Sequence, residues 1–434
     1  MSVSRFTPAR AVAVVLAAAV VTGSAVAVAA PSWGSPDAPS APTAGSGYPT
    51  GAIRFGTTSG PTASPPPPTP PGPTASPTPP TAVSTPEDFG ARGDGSTDDT
   101  AALQRAFDAT SAGATLLLGA GRTYAHSGVL HLRTKGLHLT GRGTLLATAE
   151  ATSSVWIEAD DVLVDGGVVV RTATTTRRWD AWEQMGLRIV GRSGVVVRSV
   201  TVDGSAAAGI YVGNGATAFV LDHVTVQNTR ADGIHMTGGA NHGTVTSPTV
   251  RDSGDDGVAV VSYAQDGTPC HDISVVSPTV LGTTWGRGLS VVGGTRITET
   301  DIDVRNTSAA AVYVASEGAP WFTAAAEQVL VSGGSITGAN TSTTVDHGAV
   351  LVLSGRTGVV PRDVTVQGLR VAATRASASR NLGVITYGDA PSTVTFSDIA
   401  ISGGPRTAYQ GNTPSSAFRL VRVTHDGVVV PVGG

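Results

Sequence analysis

A short apolar strand that opens on glycine recurs along this chain at an interval few folds accept. Gly186-Leu-Arg-Ile, Gly209-Ile-Tyr-Val, Gly233-Ile-His-Met and Gly257-Val-Ala-Val follow one another at steps of 23, 24 and 24 residues by subtraction. Gly288-Leu-Ser-Val, Ala311-Val-Tyr-Val, Ala349-Val-Leu-Val and Gly383-Val-Ile-Thr continue the series at steps of 31, 23, 38 and 34. A repeat this short cannot bury its own apolar face, so successive repeats must stack and share one core. The predicted architecture is all-β, a single-stranded right-handed parallel β-helix with bare coils at the short steps and loop-bearing coils at the long ones. Strand alternation puts the residue after each opening glycine inside and the next one outside. The outward column then reads Arg188, Tyr211, His235, Ala259, Ser290 and Tyr313, followed by Leu351 and Ile385. An idle outer face would carry Thr, Ser and Asn throughout; a polar and aromatic middle marks this one for a task.

Composition agrees with a turn-rich β protein. Glycine numbers 55 residues, charged residues make up 14%, and the formal charge of -4 carries no nucleic-acid signature. Residues 1–30 read as an export signal, with Arg5 and Arg10 before the small apolar run Ala11–Ala30; a membrane anchor is the alternative, since the run is long enough to span. Residues 31–85 are mostly Pro, Ser, Thr, Ala and Gly, which cannot bury enough apolar surface to offset their ordering entropy, and read as a disordered linker. Residues 86–434 share one composition and are expected to form one β-helix domain, a size that stacked repeats tolerate because each coil touches only its neighbours. The expected product is a secreted monomer, extracellular or cell-wall associated, with no membrane contact once the signal is cleaved. Cys270 stands alone, which excludes a disulfide framework and a cysteine metal site and suits a buried inert thiol.

The domain opens with Asp88-Phe89-Gly90-Ala91-Arg92-Gly93-Asp94-Gly95 and runs through Asp98-Asp99-Thr100 to Ala101, Ala102, Leu103, Ala106 and Phe107 at helical spacing. Thr97 or Asp98 is the expected N-cap, and a short amphipathic helix here would plug the open end of a solenoid. This opening resembles that of pectate-lyase-superfamily β-helices, the rhamnogalacturonase- and epimerase-like group. The resemblance implies a pectin-lyase-like solenoid.

Three carboxylates sit at the start of two adjacent strands, in Ala231-Asp232-Gly233 and Gly254-Asp255-Asp256-Gly257. Aligned residues of consecutive coils lie about 4.8 Å apart, so Asp232 and Asp256 would stack with Asp255 beside them. Like charges that close cannot all ionise cheaply, and one should hold a proton near neutral pH. An acid beside an ionised base is what cleavage of a glycosidic bond requires. Asp-Gly turns that only tie down nearby backbone are the structural alternative, and Asp94, Asp165 and Asp203 are expected to do only that. A calcium site is the functional one.

From about Met185 to Trp321 the chain resembles family 28 glycoside hydrolases, the polygalacturonases and rhamnogalacturonases. Their Asn-Thr-Asp and Gly-Asp-Asp motifs are matched by Asn228-Thr229 with Asp232, and by Gly254-Asp255-Asp256 one coil on. Gly286-Arg287-Gly288 carries Arg at the family's His, and Val312-Tyr313-Val314 lacks its final Arg and Lys. The resemblance implies Asp255 as general acid, with Asp232 and Asp256 activating water in an inverting hydrolysis.

Arg188, Tyr211, His235, Arg287, Tyr313 and Glu317 are the expected substrate contacts around this centre. Two insertions would wall a cleft: Thr174–Gln184 with Trp179 and Trp182, and Glu317–Glu327 with Trp321. Aromatic residues are only 5% of the chain, so their gathering here is informative; indole faces stack on the C–H faces of sugars. The reading is a glycosidase acting on a polysaccharide or oligosaccharide, with no cofactor and no nucleic-acid partner. One alternative is a calcium-dependent lyase or epimerase acting on a uronide, with Arg287 as base. The other is a non-catalytic glycan-binding or structural β-helix.

Overall fold

The computed structural model describes residues 83–431; the expected export signal, and the expected linker except its last residues, lie outside the described residues. Ten short strands stack in one parallel sheet. In chain order they are Leu130–Leu132, Val155–Ile157, Leu187–Val190, Ile210–Gly213, Ile234–Met236, Val258–Val261, Leu289–Val292, Val312–Ser316, Val350–Ser354 and Leu382–Thr386. A second assembly of 24 strands forms the remaining faces, and the whole is a parallel β-helix of about 12 turns. The inward column Leu187, Ile210, Ile234, Val258, Leu289, Val312, Val350 and Leu382 is fully buried, each side chain contributing roughly 1.5–3 kcal/mol of burial.

The opening glycines answer to space. A Cβ on Gly233 would lie 2.4 Å from Val250 Cγ1 and 2.6 Å from the Gly257 carbonyl oxygen; one on Gly288 would lie 2.4 Å from Val304 Cγ1 and 2.5 Å from the Ala311 oxygen. The coil turns so close to its successor there that no side chain fits.

A helix, α1, spans Thr100–Ala109 and buries Ala102, Leu103, Ala106 and Phe107 against the first coils, as its spacing predicts. Its N-cap is Asp99, not Thr97 or Asp98, because both of those belong to the strand Asp94–Asp98. The Asp99 carboxylate accepts the Arg92 and Gly93 N–H groups at 2.8 and 2.9 Å, fastening the opening loop instead of the helix end. Asp94 accepts the Ser96 and Thr97 N–H groups at 2.9 and 2.7 Å, the local role expected of it. Asp165 and Asp203 do more than that, since they bond to His138 and Arg171 on neighbouring coils.

Three further details differ from the sequence reading. The second strand of each coil is broken by a sharp corner, where Ser199, His223, Ser247 and Ser277 adopt φ between 47° and 51°. Non-glycine residues rarely sit there; each is held by its N–H bonding to the next coil, as His223 does to Thr246 O at 2.8 Å. The last aligned strand is shifted by two residues, so that Leu351 pairs with Gly383 and Leu353 with Ile385. A slip of two keeps the same face, and the pattern is blind to it. The sheet also begins two coils earlier than Gly186, adding His131 and Trp156 to the outward column. Cys270 is buried with its thiol against the Met236 and Val261 carbonyls. No helix among the described residues is long and apolar enough to cross a membrane.

Candidate active site

Asp232 immediately precedes the Gly233-led strand, and Asp255 and Asp256 precede its neighbour, so all three carboxylates emerge at one edge of the ten-stranded sheet. All are buried, and their nearest oxygens lie within 4.8 Å of one another. Asp232 accepts the Asp256 N–H at 3.0 Å on one oxygen and faces His235 Nδ1 at 2.5 Å on the other. Asp256 accepts the Arg287 N–H at 2.7 Å and the Ser290 hydroxyl at 2.5 Å. Each aspartate is thus oriented by the coil that follows it. Asp255 stands apart: Oδ2 accepts from Arg178 Nη1 at 2.6 Å, and Oδ1 is buried without a hydrogen-bond partner among the described residues. The Gly286 Cα closes over it, since a Cβ there would lie 2.3 Å from Oδ1. The glycines of Gly286-Arg287-Gly288 are therefore both steric requirements, one for the site and one for the coil.

The electrostatics separate the acids. Burial, then the charges of Asp256 and Asp232, push the Asp255 carboxyl up to about 8 against the pull of Arg178 and Arg287. The short contact to Arg178 favours the ionised form, but burial beside two carboxylates prevails, and Asp255 holds its proton at neutral pH. For Asp232 burial also opposes the charge, yet the hydrogen bond and charge of His235, the Arg178 guanidinium and the Asp256 N–H hold it below the usual carboxylate range. One site thus carries a protonated acid and an ionised carboxylate side by side.

Arg287 is half-buried between Asp256 at 3.5 Å and Glu317 at 3.1 Å, with its guanidinium 4.3 Å above the Tyr313 ring. Burial opposes its charge, but Asp256, Tyr313 and Glu317 raise its proton affinity well beyond the usual value. Tyr313 donates to Glu317 at 2.8 Å. These three residues form a closed knot beside the aspartates.

The outward column does not meet solvent as expected. Arg188, Tyr211, Ser290 and Tyr313 are buried, because loops fold over the sheet. Arg188, 4% exposed, lies under a roof of indoles, 4.4 Å from the Trp156 ring and 4.2 Å from the Trp182 ring. Tyr211 stacks on His235 at 5.7 Å. These side chains shape and brace the site from behind. The first insertion forms one wall: Trp182 is 46% exposed, while Trp179 is stacked under Arg177 at 3.5 Å with its indole N–H buried. In the second insertion, residues 317–325 carry half-buried Trp321 and exposed Phe322 and pair with the loop after Val258–Val261 through Tyr263 and Thr323.

Three residues of the site escaped the sequence reading as participants. Arg178 is 77 positions from Asp255 in the chain, and nothing local announces their contact. Tyr263 has its phenol proton affinity raised by burial and by Asp232, Glu317 and Asp255, which places it in the field of the same carboxylates. Its position just past a strand end was the available signal. Trp156 sits on a three-residue strand too short to show a pattern.

Both oxygens of Asp232 and of Asp256 and one of Asp255 are engaged with protein groups, so a calcium ion, which takes about 6–8 oxygen ligands, would share these donors with them. Arg178 and Arg287 supply the positive charge a metal would bring. A second cluster, His242, His271 and Asp272, lies elsewhere on the coils, and there Arg296 already takes both Asp272 oxygens at 2.6 Å.

No curated protein matches the chain. Among solved structures, it is similar to the catalytic unit of a GH87 α-1,3-glucanase from Streptomyces thermodiastaticus, with 19% identity, TM-score 0.52, and coverage of 81% of this chain and 70% of that one. It is also similar to the A-module of the Azotobacter vinelandii mannuronan C-5 epimerase AlgE6 (18% identity, TM-score 0.53, covering 80% and 99%). A third is PfbA, a surface adhesin of Streptococcus pneumoniae (13% identity, TM-score 0.59, covering 79% and 90%). At such identities the likeness is one of fold. Residues 83–302, about half of the chain, match the family described as rhamnogalacturonase A/epimerase, pectate lyase-like, and the chain belongs to that family.

Proposed function

We propose that this protein is a secreted glycoside hydrolase that cleaves a bond within an extracellular polysaccharide, with no metal requirement. Asp255 protonates the leaving oxygen, and Asp232 and Asp256 activate the attacking water. The observation that carries this reading is the division of proton affinity within one cluster, Asp255 pushed up and Asp232 held down. Such a split assigns acid and base. The walls supply indole surfaces on which sugar rings stack. Family membership and a fold shared with a glucanase and an epimerase support a carbohydrate substrate. A lyase that uses Arg287 as base is disfavoured, because Asp256 and Glu317 keep that guanidinium charged.

The stereochemical course is inverting in this reading. One distance favours retention instead: oxygens within 4.8 Å are nearer the ~5–5.5 Å of retaining pairs than the ~6.5–9.5 Å of inverting ones. Incubation with neutral and acidic polysaccharides, with and without a chelator, tests the class of reaction. New reducing ends without ultraviolet absorbance, insensitive to chelator, are expected. A chelator-sensitive, absorbing product would make the protein a lyase. The first anomer released, read by proton NMR, separates inversion from retention.

A further inference from the structure

We propose that Arg178 is the positioning residue of the general acid: its guanidinium holds the Asp255 carboxyl in place and meets the negative charge that forms there as the proton leaves. This rests on the hydrolytic reading above.

The first insertion is built to deliver that one side chain. Thr176 fastens to Glu150 through its N–H at 2.7 Å and its hydroxyl at 2.5 Å. Arg230 holds the Thr175 hydroxyl and carbonyl at 3.0 and 2.7 Å, and the Trp179 backbone N–H donates to the Ala206 carbonyl at 2.7 Å. Between these anchors Arg178 reaches across several coils, its guanidinium 5.5 Å from the Trp285 ring, to place Nη1 2.6 Å from Asp255 Oδ2. The other oxygen of Asp255 has no hydrogen-bond partner among the described residues and is walled by Gly286. Asp232 and Asp256 are each gripped by the following coil, whereas Asp255 is gripped only by the arm.

In the reaction the proton passes from Asp255 to the glycosidic oxygen, and the bond from that oxygen to the anomeric carbon breaks with its electron pair leaving on oxygen. Water adds to the anomeric carbon, and its proton goes to Asp232 or Asp256. Asp255 ends as a carboxylate. A hydrogen bond from guanidinium to carboxylate is stronger than one to the neutral acid, so the contact tightens as the transition state forms, which is the condition for lowering the barrier. The groups that face Asp255 are Asp232, Asp256, Arg178 and Arg287, with His235, Tyr263 and Glu317 around them. Arg178 is one of the two cations opposing the carboxylates, and without it Asp255 would bind its proton more tightly.

The test compares Arg178→Gln, Arg178→Met and Asp255→Asn in the full chain. Two readouts are used: the pH profile of kcat on whichever polysaccharide the wild type degrades, and a carbon-13 titration of labelled Asp carboxyls, which needs no substrate. Arg178→Gln is expected to lower kcat roughly 10²-fold, to leave KM nearly unchanged, and to move both the alkaline limb and the Asp255 titration to higher pH. Millimolar guanidinium should restore part of the rate. An unmoved limb and an unmoved titration in a folded variant overturn the role. If Arg178→Gln does not fold, Arg178→Met, which keeps the aliphatic stem, is judged by the same two shifts. Full activity of Asp255→Asn would instead bring down the hydrolytic reading itself.

Discussion

At the scale of single residues, the site depends on one carboxyl being unlike its neighbours. Asp255 is pushed up to about 8 by burial and by two adjacent carboxylates; its proton must be present to be given, so activity should fall as pH rises through about 8. The limb belongs to the coupled cluster as a whole, and a pH–rate profile reads it directly. Asp255→Asn should cost roughly 10²–10⁴-fold in kcat, the range for general acid catalysis, with an unchanged circular dichroism spectrum. Gly286→Ala puts a methyl 2.3 Å from Asp255 Oδ1 and 2.5 Å from the Asp256 nitrogen. The second contact is to backbone and cannot swing away. A loss of about 1–3 kcal/mol in stability is expected by denaturant melt, together with a fall in kcat.

At the scale of elements, the coils supply the acids and the partners that orient Asp232 and Asp256, and the first insertion supplies the partner of Asp255. The catalytic candidates and the glycines could be read in order along the chain because their spacing equals one coil. The first insertion could be read as a wall rich in Trp and Arg, but not which of its side chains would turn inward. Arg178 enters the site, Trp179 is half-buried under Arg177, and Trp182 remains open. Trp182 is braced from beneath by Arg188, which lies two rungs of the sheet from His235, roughly 10 Å at the usual strand spacing. That is the span of a disaccharide from the acids. Trp182→Ala should raise KM for long chains about 10-fold, the ~1.4 kcal/mol scale of one stacked ring, and leave kcat intact. Equal effects on the shortest cleavable substrate would remove Trp182 from chain binding.

At the scale of the whole molecule, a second buried acid, far from the aspartates in sequence, adds to how stability follows pH. Glu299 faces into the core between Val275 and Val331, both carboxyl oxygens lack partners among the described residues, and burial pushes it up to about 8. Its proton affinity is higher folded than unfolded, so its neutral form costs the fold least. That contribution is complete below the unfolded value near 4.5 and is lost progressively as pH rises to about 8, at up to ~1.4 kcal/mol per pH unit. Glu299→Met should flatten this decline and raise stability at neutral pH, measured by thermal melts across the pH range.

The sequence by itself determined the coil. Glycine and a following apolar residue at steps of one turn admit no other way to bury that much Val, Leu and Ile, and the same steps align Asp232 with Asp256. It could not determine the corners at Ser199 and His223, where backbone bonds between coils hold a conformation those residues do not favour. Nor could it reveal that the outward column would be roofed over, what would set the proton affinity of Asp255, or that Arg178 would find it. Periodicity is a local property repeated, and a sequence displays it. A proton affinity depends on every charge and every excluded water within a few ångströms, and only the tertiary structure decides which residues those are.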